Sequence, residues 1–212
     1  MKKLIIIVLT GIVVLVAVFI YLFEDNSQVR QFTYKTVIGQ HQIPEKFLPI
    51  YQEAADEYNI PWKLLASVHR VETIFSTMDP MESPVGALGP FQFMPRTWVG
   101  WSHPGGDVGE LPDDIDITDV DLIEEHNGYG VDVAGKGAAD PFDIYDSAYA
   151  AASYLADHGA SDGDLEGALY SYNRSDEYVE EVMGYYQAYN DDYELITIPL
   201  DKEVIEQASL TK

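Results

Sequence analysis

Among 36 acidic residues, Glu72 has the setting best suited to chemistry. It follows Val68 by four residues and Leu65 by seven, offsets that share one face of an α-helix. A carboxylate on an apolar stripe is costly unless it is paired or protonated. Desolvation raises its pKa and suits it to general acid work near neutrality. The same spacing also fits a surface glutamate at a helix end, or one paired with Arg70 or Arg96. His69 could contact and tune this carboxylate, although a partly exposed helix residue is the plainer expectation. Downstream runs SPVGALGPFQFMPRTW, which begins at Ser83. Gly86 and Gly89 permit close backbone approach, and Gln92 offers both a donor and an acceptor. Phe91, Phe93, Met94 and Trp98 add apolar surface. Such a loop can line a sugar subsite, with rings stacked on aromatics and an amide holding an N-acetyl or hydroxyl group. Ordinary loop-to-core packing uses the same residue types.

Other groups carry weaker signals. Asp113, Asp114, Asp116, Asp119, Asp121, Glu124 and Glu125 form an acidic run, but a calcium-loop frame from Asp114 puts Asp119 where glycine belongs. A second frame, from Asp132 through Gly137 to Asp143, places Ala134 and Lys136 at ligand positions, and a cation there opposes metal binding. The expectation is a metal-free loop in which Asp140 and Asp143 cap or brace the following helix. The five histidines show no ligand spacing, and there is no cysteine for thiolate sites, disulfides or nucleophilic catalysis. No metal and no cofactor is expected. Of Trp62, Trp98 and Trp101, at least two are expected in core packing.

These residues need elements to hold them. Helical stripes are predicted from Pro44 to Tyr58 and from Pro61 to Thr73, the second carrying Glu72. A short helix from Pro95 to Trp101 follows, then one started by Thr118 and running to about His126. An Ala-rich helix from Asp146 to His158 stops at Gly159, and a short one covers Leu165 to Tyr172. Ser175 caps a last helix with the stripe Tyr178, Val179, Val182, Tyr185, Tyr186 and Tyr189. A short strand at Leu195 to Ile198 is expected in the tail. The result is a mainly α domain with long loops that could border a cleft.

At the N-terminus, residues 4–23 read LIIIVLTGIVVLVAVFIYLF without a charge. Twenty residues at about 1.5 Å each match a hydrocarbon core of about 30 Å. Lys2 and Lys3 precede this run, so the basic end stays cytoplasmic and the rest lies outside. An uncleaved anchor fits better than a signal peptide, because no small-x-small site closes the run. Residues 1–23 are thus tip and anchor, 24–43 a stalk, 44–190 the domain and 191–212 a tail. Without Lys2 and Lys3 the chain holds 10 basic against 36 acidic residues, a net −26. That balance opposes nucleic acid or an anionic membrane surface as partner and suits a salty or cation-rich exterior.

Glu72-Thr73, then Ser83-x-x-Gly86-Ala87-x-Gly89-x-x-Gln92-x-Met94-Pro95, then Ser171-Tyr172-Asn173 resembles the lytic transglycosylases of the lysozyme-like superfamily. DPFDIYDSAYAAASYLADHG is similar to the helix before that family's last motif, and YNRSDEYVEEV to its membrane-anchored, Gram-positive version. The resemblance spans residues 45–190. Thr73 stands for the usual Ser, Pro90-Phe91 for Leu-Met and Ser171 for Ala; none removes a needed group.

The resemblance implies a goose-type, lysozyme-like helical fold around a glycan cleft. It implies cleavage of MurNAc-β-1,4-GlcNAc bonds in peptidoglycan, with Glu72 as the one catalytic acid and then base. Ser83, Gln92, Phe93, Tyr172 and Asn173 are the implied substrate-binding residues, with Tyr172 or Asn173 on the acetamido group and Gln92 on the glycan backbone. The protein is expected to act as a monomer at the outer face of the cell membrane, with other envelope proteins as further candidate partners. A hydrolytic muramidase is the alternative; it needs a second acid, for which Asp79, Glu82 and Asp107 are candidates, or a positioned water. An inactive wall-binding or scaffold domain is the other.

Overall fold

The computed structural model describes residues 2–25, 27–106 and 109–198. Within them lie α1 (Lys2–Asp25), α2 (Ser27–Val37), α3 (Leu48–Tyr58), α4 (Trp62–Thr73), α5 (Pro95–Val99), α6 (Val120–His126), α7 (Ile144–Asp157), α8 (Leu165–Tyr172) and α9 (Asp176–Asp191). Strand β1 (Gln42–Pro44) pairs in parallel with β2 (Glu194–Ile196), joining the two ends of the helical body. The tail beyond 198 and Asp107 lie outside the described residues.

α4 is the central helix. Leu64, Leu65, Ala66 and Val68 are fully buried, and α4 packs against α3 on one side and α9 on the other. α7 completes the core with Ala148, Ala150, Ala151, Ala152 and Leu155, all without exposed surface. Small side chains let α7 lie close to α3 and α8 and keep the interior dense. The mainly helical architecture agrees with the sequence patterns.

Boundaries shift where a local rule meets a better partner. Pro44 ends β1, and Pro49 takes the first-turn position of α3. Asp119, not Thr118, caps α6 by accepting from Asp121 and Leu122 N–H; Thr118 instead bonds Asp116. Asp143 caps α7, which begins two residues before Asp146. Ser175 caps α9 as the sequence indicates.

The segment expected as a stalk is helical in part and docked. Tyr34 and Ile38 are 6% and 1% exposed and join the same core as Ile43 and Phe47. Arg70 of α4 donates to Ile38 O at 2.9 Å and Gly39 O at 3.0 Å, carbonyls at the C-terminal end of α2. A cation there also complements the helix dipole. The cap comes from another helix, which is why local periodicity missed it.

α1 is one continuous helix over the uncharged run. Its side chains are described only at Val8, Leu9 and residues 11–23, and Val13 and Leu15 are 66% and 70% exposed. Among the described residues no helix is long and apolar enough to cross a membrane. Phe23 packs against Tyr34 with ring centroids 5.7 Å apart, while the exposure of the residues before it gives them no core role.

Candidate functional site

Glu72 occupies the last turn of α4, and the chain then turns sharply. Ile74, Phe75 and Ser76 follow with φ of 50°, 60° and 61°, three consecutive non-glycine residues in the left-handed region. Such residues are strained by roughly 1–2 kcal/mol each and persist only where their surroundings hold them. Here Ser76 N–H donates to Thr73 Oγ1 at 3.1 Å, and Ser76 Oγ lies 2.8 Å from His69 Nε2. His69 Nδ1 is 2.7 Å from the Tyr51 hydroxyl, and its ring stacks on Phe91 at 4.9 Å.

His69 is therefore neither partly exposed nor bonded to Glu72, which corrects both expectations: it is fully buried and clamps the turn. Burial, aided by the Lys46 charge, lowers its pKa to about 3, so the ring is neutral. A buried histidine needs partners for both ring nitrogens, and Tyr51 and Ser76 supply them.

The Glu72 side chain is partly buried and keeps limited solvent access. Oε1 accepts from the Tyr178 hydroxyl at 2.7 Å. Among the described residues nothing else bonds this carboxyl. Neither arginine pairs with it: Arg70 serves the α2 carbonyls, and Arg96 serves His103, Gly106 and Trp101 carbonyls. Burial raises the Glu72 pKa from 4.5 to about 7, while the Tyr178 hydrogen bond opposes the rise. Glu72 thus sits where a carboxyl can both give and take a proton near neutrality.

Glu72 lines a cavity of about 320 Å³. Its polar lining includes Gln31 and Lys35 of α2, Arg70, and Glu181 of α9. Glu181 accepts from Lys35 Nζ at 3.2 Å. Asp79 and Glu82 do not line it: Asp79 is exposed and paired with Arg30 at 3.5 Å, and Glu82 is exposed.

The glycine loop packs beside the same helix end. Thr73 Oγ1 donates to Pro90 O at 2.8 Å. Gly89, at φ 74°, lies against the Pro141 carbonyl so tightly that any Cβ would collide with it. Gly86 meets nothing at that position; its φ of 84° is the requirement there. Gln92 has φ 51°, and its Nε2 donates to Gly89 O at 2.8 Å. Ser83 Oγ accepts from Ala87 N–H at 2.9 Å and shapes the turn.

Phe93 is 3% exposed and packs edge-on to Trp98 and Tyr172, so it supports the site from within the core rather than offering a face to a sugar. The Tyr172 hydroxyl donates to Phe91 O at 2.7 Å, and its ring lies parallel to Tyr178 with centroids 6.5 Å apart. Asn173 ends α8 with an exposed side chain. None of Ser83, Gln92, Phe93, Tyr172 and Asn173 lines the cavity that holds Glu72. Tyr172 is nonetheless tied to it through Tyr178. Trp98 is buried and Trp101 is 52% exposed.

Two participants were missed in the sequence. Tyr178 reads there as one member of the α9 stripe, and Glu181 as one of many surface acids. Their approach to Glu72 depends on α4 packing against α9, for which no local signal exists.

Among the loops, Asp132 accepts from Gly137 N–H, and Lys136 pairs with Asp143 at 3.5 Å. Asp140 accepts from Phe142 N–H at 2.9 Å and braces the approach to α7. No family model, no curated protein and no solved structure matches the chain.

Proposed function

We propose that the chain is a peptidoglycan lytic transglycosylase with Glu72 as its single acid–base. The observation that carries this reading is a carboxyl of raised pKa, anchored through one oxygen by Tyr178 and lining a cavity. The ordered motifs around Glu72, Gln92 and Tyr172-Asn173 support the choice of substrate, as does their resemblance to that enzyme family.

In this reaction protonated Glu72 gives its proton to the oxygen bridging MurNAc C1 and GlcNAc. The C1–O bond breaks, and the MurNAc acetamido oxygen stabilises the positive charge at C1. Glu72, now a carboxylate, takes the proton from the MurNAc C6 hydroxyl. That oxygen bonds to C1, which closes a 1,6-anhydro ring without consuming water. The carboxyl returns to its starting state, so one residue serves both steps. Tyr172 or Asn173 is the group proposed for the acetamido function, and of the two Asn173 has the exposed side chain.

The proposal places the domain outside the cell membrane, held by α1. Support comes from the uncharged sequence of residues 4–23, the preceding Lys2 and Lys3, and the exposed apolar side chains among Val8, Leu9 and residues 12–22. Glycan strands are then the partner, and localisation follows from the anchor.

Hydrolysis of the same bond is the second reading, favoured by Glu181 in the Glu72 cavity. Mass spectrometry of products released from purified peptidoglycan by the full chain separates the two. Fragments lighter by one water and resistant to borohydride indicate anhydro ends. Reducible ends indicate hydrolysis and make Glu181→Gln the next variant. Binding of muropeptides without turnover sinks both readings.

A further inference from the structure

We propose that Phe32 of α2 is the sugar-stacking residue of the Glu72 cavity, so that the helix next to the apolar run forms one wall of the glycan site. This deepens the glycan reading above and rests on it.

The packing of α2 decides which of its side chains reach the cavity. Tyr34 and Ile38, four residues apart, are buried in the core and fix the inner side of the helix. Arg70 holds its C-terminal carbonyls. Arg30 pairs at 3.5 Å with Asp79, the neighbour of the cavity residue Met78, and Lys35 pairs at 3.2 Å with Glu181 of α9. α2 therefore bridges the segment after α4 and α9, and Gln31, Phe32 and Lys35 line the cavity from its side. Offsets of three and four residues keep Lys35 beside both Phe32 and Gln31 on the helix surface.

An exposed apolar side chain alone needs no explanation. Phe32 is 72% exposed, yet it lines the same cavity as the carboxyl that reacts with the glycosidic oxygen. The other aromatic residue lining this cavity is Tyr185, and the Arg70 guanidinium lies 4.3 Å from its ring centroid. Phe93, whose residue type suggested a platform, is buried in the core. Phe32 is left as the exposed ring beside Glu72.

A pyranose presents an apolar C–H face edged by hydroxyls. It is held by a flat apolar surface with a few polar groups at the border. Phe32 supplies the surface. The Gln31 amide, the Lys35 ammonium and the Glu181 carboxylate supply the border. The Lys35–Glu181 pair is open to solvent at both ends, 63% and 43% exposed, so sharing it with sugar hydroxyls costs little. A bilayer surface is the other candidate for an exposed ring on the helix after α1, but it gives no reason for the ring to share a cavity with the acid.

The test uses the full chain in detergent micelles and a soluble GlcNAc–MurNAc tetrasaccharide. Phe32→Ala is expected to raise KM about tenfold with little change in kcat, the loss of one stacking contact. Phe32→Tyr keeps the ring and should track the native chain, whereas Phe32→Leu keeps apolar bulk without a flat face and should resemble Phe32→Ala. Val37→Ala removes an exposed apolar side chain of α2 that does not line the cavity, and KM should not move. With 4-fluorophenylalanine at position 32 in a Glu72→Gln chain, the fluorine signal should shift saturably on adding the tetrasaccharide and stay sharp with a nitroxide-labelled detergent.

A native KM in Phe32→Ala, from a chain that cleaves the glycan, overturns the role of Phe32 and leaves the transglycosylase reading standing. A fluorine signal broadened by the nitroxide and unmoved by the sugar assigns Phe32 to the bilayer and overturns it as well. A native chain that neither binds nor cleaves the tetrasaccharide brings down both readings.

Discussion

Asp146, in the first turn of α7, is 4% exposed; one oxygen accepts Val133 N–H at 2.9 Å and the other accepts Asp140 N–H at 3.0 Å. Glu72, in the last turn of α4, accepts one phenolic hydrogen at 2.7 Å on Oε1. Burial raises both pKa values, and hydrogen bonding opposes the rise in both. The difference lies in what each carboxyl has left to do. Asp146 has spent both oxygens on backbone amides, so it braces the loop before α7. Glu72 keeps an oxygen for another partner and lines a cavity. Burial alone does not mark a functional acid; incomplete satisfaction at a cavity does.

The sharpest way to break this contrast is to neutralise Glu72 without changing its shape. Glu72→Gln is expected to lower peptidoglycan cleavage by about 10³-fold, because the general acid is lost. Its urea midpoint at pH 6 should be no lower than that of the native chain. Retained product formation would falsify the assignment of Glu72.

Asp146→Ala is the mirror experiment. It leaves two amides without acceptors and should cost about 3 kcal/mol, read as a lower urea midpoint. Once folded, at low temperature, the variant should retain most of its kcat. A large loss of kcat with no loss of stability would move Asp146 into the working site and erase the contrast.

The pH dependence of stability sharpens it further. The folded pKa of Glu72 is about 7, against 4.5 as the reference. Its folded form therefore holds a proton that the unfolded chain has released. The associated stability is complete below pH 4.5 and is lost as pH rises through 7. With the carboxyl's partial solvent access, the loss should be on the order of 2 kcal/mol. Glu72→Gln lacks this term, so its stability relative to the native chain should grow from pH 4 to pH 8. Parallel curves for the two proteins would mean that Glu72 is not desolvated in the folded state.

Legibility in the sequence followed the range of the interaction. Glu72 stood out because a local period placed it inward, and the Leu165–Tyr172 helix was legible from end to end. Ser175 and Gly159 worked as local punctuation. What escaped was assembled across distance. The Ile38 and Gly39 carbonyls find their cap in Arg70, some thirty residues on, so the local sequence carries no sign that α2 is docked. His69 looked ordinary because its partners, Tyr51 and Ser76, matter only once α3 and the left-handed turn close around it. Phe93 looked like a sugar platform because composition does not say which face of a loop turns inward.

The smallest expected effect concerns the residue beside the acid. The lytic transglycosylase pattern that the sequence resembles usually has Ser at the position of Thr73, and a hydroxyl is what the structure uses: it donates to Pro90 O at 2.8 Å and accepts from Ser76 N–H at 3.1 Å. One hydroxyl thereby joins the glycine loop to the strained turn after Glu72. Thr73→Val keeps the shape and removes both bonds, which should cost about 1 kcal/mol of stability and raise KM more than it lowers kcat. Thr73→Ser keeps both bonds and loses one buried methyl group, so it should track the native chain in KM. If Ser instead behaves as Val does, the Thr73 methyl and its packing hold the loop, and the hydroxyl is incidental to the geometry around Glu72.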